Sequence, residues 1–585
     1  MEPVGLALGA IVLIKPMCKT IHDTWQGFRL YGPESEKLNL RFSVQASRID
    51  SFEKILFEPA KLNPIVPGRV IDSLPNHVCQ GLAGLLCELY SLMQEYVSRD
   101  SRYAQNQRPP DDLATVLKDI SGTTTSQQDV AVLLALSRKG AADKQKAADW
   151  MSKITWALRD KRAMEKLVVE FEHYTERLGS LVELAFWPLP LARSLSAITP
   201  LESDSDAANT GLSRGISIRK LVLEPSLSQP GKCQALLEMP RTSFRECGDS
   251  GVMQFGQLKG TPDSWHMVEY RTYGDGSAAD TQDKIIQLAA LLHRGPDSDP
   301  QLKLCQCVGY FHDSTNARLG LVSRLPLSTA ATPGSIPSLA SLLSIKSLRP
   351  RLQSRVRLAL ALVQTVHRLH LYGWLHKSLR SDNIIFPLGH DSSGGSADSS
   401  AVLEDPRVRG FEYSRRESDF SSVQRQDDHI QNLYRHPARW GLPTERFSRI
   451  HDLYGKLIRI FSMTTLSQSR PPRPRLKSLI CPITDVSDYL ALGVILFEIG
   501  TWERVQDIDR NALIEPEVAN KPEFVRQRLL KHANRRLEFH MGKRYADFVV
   551  FCLSAEKIDS YEKEQRMMEK VSGETEYLST LSNAI

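Results

Sequence analysis

The sequence predicts a multidomain protein in which an all-α helical bundle is followed by an α+β domain of two lobes. Three observations lead to this prediction: helical spacing of apolar residues in the first third of the chain, alternating strand patterns before a long amphipathic helix, and a length of 585 residues. We place the bundle at 1–190, a linker at 191–216 and the α+β domain at 217–585, with lobes at about 217–326 and 327–585.

Three stretches at 38–57, 78–97 and 163–186 predict the helices of the bundle. In the last of them, apolar residues recur at steps of three and four: Met164, Leu167, Val168, Phe171, Leu178, Leu181, Val182 and Ala185. Such a stripe is typical of a helix with one buried face.

The N-terminal run PVGLALGAIVLI at 3–14 is strongly apolar. Glu2 precedes it and Lys15-Pro16 breaks it, so a secretory signal is not expected. Its length is roughly half of the ~20 residues that span a bilayer as a helix. Two interpretations stay open: a helix packed on its own domain, or a segment that enters a membrane conditionally through Leu6, Leu8, Ala10, Ile11 and Leu13.

The charge and the cysteine content argue against a nucleic-acid-binding protein and against a zinc site. The net charge is only +6, and no arginine-rich stripe alternates with aromatic residues, so we expect no nucleic-acid partner. Cys305 and Cys307 have neither the spacing nor the histidines of a zinc site, and the nine cysteines are scattered. A reduced intracellular protein is expected.

The opening MEPVGLALGAIVLI, the run DSFEKILFE at 50–58 and WALRDKRAMEKLVVEFEHYTERLGSLV at 156–182 resemble the HeLo domain of filamentous fungi, the domain of prion inhibition and propagation. The resemblance covers the first third of the chain. It implies a cell-death effector whose N-terminal segment leaves the bundle and enters the membrane. Implied with it are self-association on activation, membrane lipids and an upstream signalling protein as partners, and a cytoplasmic location with conditional plasma-membrane association.

Residues 188–215 are rich in Pro, Ser and Asp and lack a sustained apolar stripe, which is typical of a linker. Beyond them, LQSRVRLALALVQTVHRLHLYGW at 352–374 predicts a long helix. LHKSLRSDNIIF at 375–386 follows it, with a His, six intervening residues, an Asn and an apolar strand. This arrangement resembles the catalytic loop of a protein kinase.

The nucleotide-binding parts of that resemblance are degenerate. Only Gly256 and Gly260 stand where a glycine-rich cover precedes the third strand, predicted at 266–271. Arg271 stands in place of the phosphate-binding lysine, and it is a larger, planar cation. The next helix, predicted at 281–293, offers Lys284 and Gln287 but no glutamate as its partner.

The catalytic parts are degenerate too. His376 and Asn383 keep the outer positions of the loop, while Ser378 replaces the aspartate that acts as general base. Asp382 is the one acid that could substitute for it. We interpret His376 as a core histidine that holds loop backbone.

The metal-binding motif is altered in VRGFEYSR at 408–415, which follows a low-complexity loop at 389–400. There Gly410 replaces the metal carboxylate, and Glu412 replaces a glycine. The domain thus resembles a protein kinase in scaffold and a pseudokinase in chemistry, and we expect no cofactor. ATP and Mg²⁺ belong to the alternative of an active enzyme.

Downstream, YRHPARWG at 434–441 resembles the end of an activation loop, with Ala438 in place of an acid. Residues 456–490 interrupt an apolar helix pattern that would otherwise join Tyr454 to Ala491. We interpret them as a retained intron or a family-specific insertion. If they are translated, Asp488-Tyr489 starts the buried helix.

Two functions follow from this layout. The first is a signalling or cell-death effector under the control of a catalytically degenerate kinase-like domain, similar in layout to the mixed-lineage-kinase-like effector of animal necroptosis. The alternative is a divergent, active protein kinase with a regulatory helical domain. An adaptor with an inert bundle is a third hypothesis. Arg271, Ser378 and Gly410 favour the effector.

Overall fold

The computed structural model divides the chain into two compact units, Met1–Lys220 (unit 1) and Leu221–Ile585 (unit 2). It describes residues 3–27, 33–58, 69–74, 76–98, 161–187, 189, 192, 194–223, 237–249, 254–273, 278–327, 336–387, 403, 405–416, 429–435, 487–509, 513, 521–554, 570–571, 573–574, 577–578 and 581–582.

Within the described residues of unit 1, all the regular elements are helices. Its long helices are α1 (Pro3–Gly27), α2 (Pro33–Phe57), α3 (Asn76–Ser98) and α4 (Lys161–Phe186). The helix α1 packs on α2 and α3, which both pack on α4. Each of the three helices predicted from apolar spacing is present, and each extends a few residues beyond its predicted bounds.

The helix α1 extends beyond the apolar run 3–14 and continues through Lys15-Pro16 to Gly27. Proline removes one backbone hydrogen bond from a helix and disfavours its interior. Here residues on both sides of it, among them Ile14, Met17 and Ile21, are buried. Packing of α1 along its whole length therefore outweighs the local cost of the proline.

Aromatic and ionic contacts join α2 to α4. The Phe42 and Phe171 rings lie with centroids 5.2 Å apart in the core. On the neighbouring surface the Arg41 guanidinium donates to both carboxylate oxygens of Glu172, at 2.8 and 2.6 Å. Such two-pronged pairs fix the geometry of two helices more strictly than a single ion pair does.

The segment predicted as a linker, 191–216, is instead largely helical and belongs to unit 1. It contains α5 (Leu195–Ile198) and α6 (Ser205–Thr210) and leads into α7 (Leu212–Leu223). The Asp204 carboxylate caps α6 by accepting from the backbone of Asp206 and Ala207, at 2.8 and 2.9 Å. Asp206 in turn accepts from Ser51 and Lys54 of α2, which fastens the segment to the bundle.

Unit 2 begins with a five-stranded antiparallel sheet. Its strands are β1 (Phe244–Asp249), β2 (Gln254–Leu258), β3 (Thr261–Thr272), β4 (Cys307–Asp313) and β5 (Arg318–Arg324), in the spatial order β1-β2-β3-β5-β4. The helix α8 (Ala278–Ser298) packs on β4 and β5. In the register, Glu269 and Arg271 of β3 face Leu321 and Leu319 of β5.

Further strands and helices follow the sheet in unit 2. In chain order they are α9 (Leu339–Leu343), α10 (Leu352–Leu371), β6 (Trp374–Leu375), β7 (Ile384–Ile385), β8 (Arg407–Val408), β9 (Arg415–Arg416), α11 (His429–Asn432), α12 (Ser487–Thr501), α13 (Val505–Ile508), α14 (Pro522–Met541) and α15 (Lys543–Leu553). The helix α10 packs on α12, and α12 packs on α14 and α15. The predicted long helix ends at Leu371 rather than at Trp374, because Gly373 turns the chain with a φ of 77°.

The buried helix α12 begins at Ser487, so Asp488 and Tyr489 lie in its first turn, as expected if residues 456–490 are translated. The last four residues of that insert therefore belong to α12. Residues 456–486, the low-complexity loop at 389–400 and Ala438 lie outside the described residues.

Candidate functional site

Two short ladders bring the predicted catalytic loop and the predicted metal motif of unit 2 together. Trp374 and Leu375 of β6 pair with Arg416 and Arg415 of β9. The strand β7 pairs with β8 in the same antiparallel way. The loop 376–383 therefore runs beside the segment 409–414, and β3 contacts that segment as well. We call the space among these three parts the cleft.

His376 is buried and links the two sides of the cleft through its ring. Its Nε2 lies 3.0 Å from the carbonyl oxygen of Arg409, and its Nδ1 accepts from the backbone N–H of Ser378 at 3.2 Å. A nitrogen that accepts carries no proton, so these contacts fit a neutral ring with its proton on Nε2. The ring also lies against Phe411, with centroids 4.5 Å apart.

Ser378 acts as a donor in this arrangement. Its hydroxyl donates to Glu412 Oε1 at 3.0 Å, and its carbonyl accepts from Asn383 Nδ2 at 2.8 Å. The residues predicted at the base position and in the altered metal motif are therefore bonded to each other. A hydroxyl whose proton is committed to a carboxylate is poorly placed to accept a proton from a substrate.

Gly410 adopts a left-handed conformation, with φ 88°, that non-glycine residues rarely take. A Cβ at this position would lie 2.1 Å from Asn383 Nδ2 and 2.5 Å from its Cγ. Asn383 therefore fills the space that a side chain on residue 410 would need. A metal-binding carboxylate is absent at 410 and also has no room there.

Arg271 is buried, and its Nη1 donates to the carbonyl oxygen of Ser414 at 2.9 Å. The residue predicted at the phosphate-binding position thus binds backbone of the chain itself. Lys284 and Gln287, at the predicted partner position, are both buried on α8. The Gln287 amide donates to Asp283 Oδ2 at 3.3 Å.

The two glycines predicted as a phosphate cover lie in different places. Gly256 is inside β2, where a Cβ would come 2.1 Å from the carbonyl oxygen of Arg245 on β1. Gly260 lies in the turn from β2 to β3 with φ 103°. Gly256 is required by the close approach of β1, and Gly260 is required by the turn. The two glycines therefore do not form one cover. Gly248 lies at the end of β1 and was not among the glycines predicted as a cover.

Glu269 is the cleft residue that sequence reasoning overlooked. Its carboxylate accepts from the backbone N–H of Gly410 and, at 3.5 Å, from that of Phe411. Burial raises the pKa of Glu269, while Arg409 lowers that pKa and Glu412 raises it further. The available signal was an acid two residues before Arg271, which places both on the same face of β3.

Asp382, the possible substitute base, is partly exposed in the 3-10 turn Ser381–Asn383. The turn is fixed by its neighbours. Ser381 shares a hydrogen bond of 2.9 Å with the Tyr434 hydroxyl, and Asn383 is buried.

The predicted membrane segment lies on α1. Ala10, Ile11 and Leu13 are buried in unit 1, whereas Leu6 and Leu8 are half-buried. Across the residues that the structure describes, every helix is either too short or too polar to cross a bilayer.

Lys15 fastens the middle of α1 to α2. Its ammonium lies 3.2 Å from the Asp50 carboxylate and also contacts Glu53. Burial lowers the pKa of Lys15, but the two carboxylates outweigh it and raise the pKa above its usual value. A cavity of about 730 Å³ lies beside this contact, lined by residues of α1 and α2 that include Cys18, His22 and Ser43.

The family model HeLo, described as prion-inhibition and propagation, matches residues 5–194. The match runs from α1 to the residue before α5, so it covers most of unit 1 and none of unit 2. A HeLo domain suggests a signalling or cell-death role of the fungal type. No curated protein matches the chain.

Proposed function

We propose that the protein is a signalling or cell-death effector whose helical unit 1 acts on membranes under the control of a catalytically inactive, protein-kinase-like unit 2. The observation that carries the proposal is the HeLo match over residues 5–194. The proposed partners are membrane lipids, further copies of the same chain and an upstream signalling protein. The proposed location is the cytoplasm, with plasma-membrane association on activation.

The position of α1 supports a conditional membrane role. The apolar run 3–14 is partly buried in unit 1, with Ala7, Ala10, Ile11, Leu13 and Ile14 in its core. This packing keeps it from membranes at rest, whereas a permanently exposed apolar helix would bind membranes or aggregate at once. The Lys15 contact is part exposed and can be broken at modest cost. Because the apolar run is short for a bilayer, several chains would have to insert together and shelter one another's polar backbone.

The cleft supports a unit 2 that regulates without catalysis. Phosphoryl transfer needs a base, a carboxylate on the metal and a cation on the phosphates. Ser378 bonds to Glu412, Gly410 has no room for a side chain, and Arg271 bonds to Ser414. These contacts argue against the alternative of an active kinase.

A liposome leakage assay with residues 1–223 tests the membrane role. This fragment keeps unit 1 and the whole of α7, whose Ile216 and Ile218 are buried. We expect the fragment to release an encapsulated dye and the full chain to release far less, because unit 2 restrains unit 1. A fragment that stays inert would favour the adaptor hypothesis.

Leu8→Lys is the variant that isolates α1 in this assay. A charge near the bilayer centre costs about 2.5–3.5 kcal/mol, so the variant should leak much less than the parent. Leu8 is half-buried, and a lysine there can reach solvent, whereas Ala10→Glu would bury a charge at a site that is 1% exposed. The matched control is Leu40→Lys on α2, where the side chain is 67% exposed.

The leakage of a variant is informative only if the variant folds. Circular dichroism must therefore show that Leu8→Lys and Leu40→Lys both keep the helix content of the parent fragment. We expect leakage to be lost with Leu8→Lys and kept with Leu40→Lys. If folded Leu8→Lys leaks as the parent does, α1 is a structural helix and the effector proposal loses its mechanism.

A further inference from the structure

Glu269 joins the sheet of unit 2 to the segment 409–414. The sheet and this segment are about 140 residues apart in sequence, since the two hydrogen bonds from Gly410 and Phe411 span 141 and 142 positions. Contacts of this kind are formed by the fold and do not follow from local structure. A carboxylate that accepts backbone N–H groups makes charge-assisted bonds, which are stronger than neutral ones.

A second side chain of β3 reaches the same segment from the same face. Arg271 donates to the Ser414 carbonyl, so β3 holds the segment at both ends, with an acceptor at 410–411 and a donor at 414. The other side of the segment is held by the loop, because the Ser414 hydroxyl donates to the His376 carbonyl at 2.8 Å. The segment is therefore bonded on two sides.

Apolar packing closes the neighbouring space between the sheet and β7. One buried cluster contains Met267 from β3 and Ile385 from β7, together with Cys305, Leu325 and Ile336. Phe255 and Trp265 pack against this cluster, with ring centroids 5.8 Å apart. The chain's own side chains thus occupy both the polar and the apolar part of this region.

We infer that Glu269 is an internal latch that closes the cleft from within, so that the sheet and the segment 409–414 stay together without a bound ligand. Gly410 is what allows the latch. Its left-handed backbone presents its N–H to β3, and its missing side chain leaves space for Asn383. The inference rests on the geometry of unit 2 alone and holds whether or not unit 1 acts on membranes.

Hydrogen exchange of the full chain, read by mass spectrometry on peptides that cover 407–416, tests the latch. In Glu269→Ala we expect exchange in 409–414 to be about tenfold faster or more, the size expected for loss of a hydrogen bond to a charged group. Peptides from α4 should be unchanged. The matched control is Asp263→Ala, an exposed acid on the same strand, which should exchange as the parent does.

Chemical rescue identifies the group that is needed. Sodium acetate should slow exchange in Glu269→Ala toward the parental rate, because it returns a carboxylate to the vacated space. Sodium chloride at the same ionic strength should not. The parent should respond to neither salt, because its own carboxylate is already in place.

Glu269→Gln keeps the side-chain volume and covers the case in which Glu269→Ala does not fold. It should also accelerate exchange in 409–414, but less than alanine does, because its amide oxygen can still accept one bond. Parental exchange rates in both variants would overturn the latch. Faster exchange that acetate leaves unchanged would overturn the role of the carboxylate.

Discussion

Glu498 of α12 is a buried carboxyl group whose titration should make unit 2 less stable as the pH rises toward neutrality. Its side chain is fully buried. Its Oε1 accepts from the Tyr434 hydroxyl at 2.7 Å and from the backbone N–H of Val505 at 2.9 Å. Burial raises the pKa of Glu498 from 4.5 to about 7, against the lowering effect of these bonds.

The sign follows from the proton count in the two states. Between pH 4.5 and 7 the unfolded chain has released this proton while the folded chain still holds it. The free energy of unfolding therefore falls as the pH rises through this window and is level above it. The rise of the pKa from 4.5 to about 7 therefore corresponds to a loss of about 3 kcal/mol across this window.

Glu498→Gln removes the titration and keeps an oxygen that can accept both bonds. At pH 4.5 the parent and the variant should have similar free energies of unfolding, and by pH 8 the variant should be more stable by about 3 kcal/mol. Urea unfolding by pulse proteolysis, read on fragments of unit 2, measures this difference. Such a readout is needed because a chain of two units does not unfold in one transition.

The control is Glu503→Gln, a nearby residue whose side chain is 48% exposed and pairs with Arg536 on the surface. Its free energy of unfolding should differ from that of the parent by at most about 1 kcal/mol, because water screens this surface pair. A difference between Glu498→Gln and the parent that stays constant from pH 4.5 to 8 would refute the reasoning.

Three further predictions concern the cleft and α1. Gly410→Ala should lower the stability of unit 2 by more than the ~1–2 kcal/mol that a left-handed backbone costs an alanine, because the new Cβ also clashes with Asn383. Adding Asn383→Ala should recover the part of this loss that comes from the clash, as measured by thermal unfolding. No recovery would contradict the clash. Lys15→Ala should lower the free energy of unfolding by at most about 1 kcal/mol, because the Lys15 side chain is 41% exposed and water screens its pair with Glu53. A double-mutant cycle with Glu53→Ala measures the coupling energy of the pair, and a value far above about 1 kcal/mol would speak against this prediction. The purified full chain should transfer no labelled phosphate from ATP to itself or to generic substrates. Transfer that Asp382→Asn abolishes would overturn the inactive interpretation.

The long helices of unit 1 were predictable because each buries one continuous stripe, and that stripe appears in the sequence as a three- and four-residue repeat. The bounds of α1 were not. Pro16 signals a break locally, and only the packing of α1 on α2 and α3 keeps the helix intact to Gly27. Tertiary contacts of this kind have no local signature.

The segment 191–216 was misassigned for a related reason. The helices α5 and α6 have four and six residues, too few to show a periodic stripe. Polar residues that suggest a linker have structural roles there, since Asp204 caps α6 and Asp206 accepts from Ser51. Caps and linkers share the same composition, and only the contacts distinguish them.

The sequence predicts altered residues at the cleft, because each departs from the protein-kinase pattern at a fixed spacing. Their relation to one another was not found in that way. Ser378 and Glu412 were treated as separate departures, yet they share a hydrogen bond, and Glu269 belongs to no motif. Contacts between residues far apart in sequence become visible only in the fold.

These contacts also affect whether the acidic residues of a protein kinase could be placed back at positions 378 and 410. Ser378→Asp would place a second carboxylate within hydrogen-bonding reach of Glu412, and two such groups resist ionising together. An acid at 410 would meet Asn383, so restoring one part disturbs another. Ser378 is bonded to Glu412 and Asn383 fills the space beside Gly410, so a new side chain at either position meets a neighbour that is already in place. The same contacts hold the loop 376–383 and the segment 409–414 together without a base or a metal carboxylate.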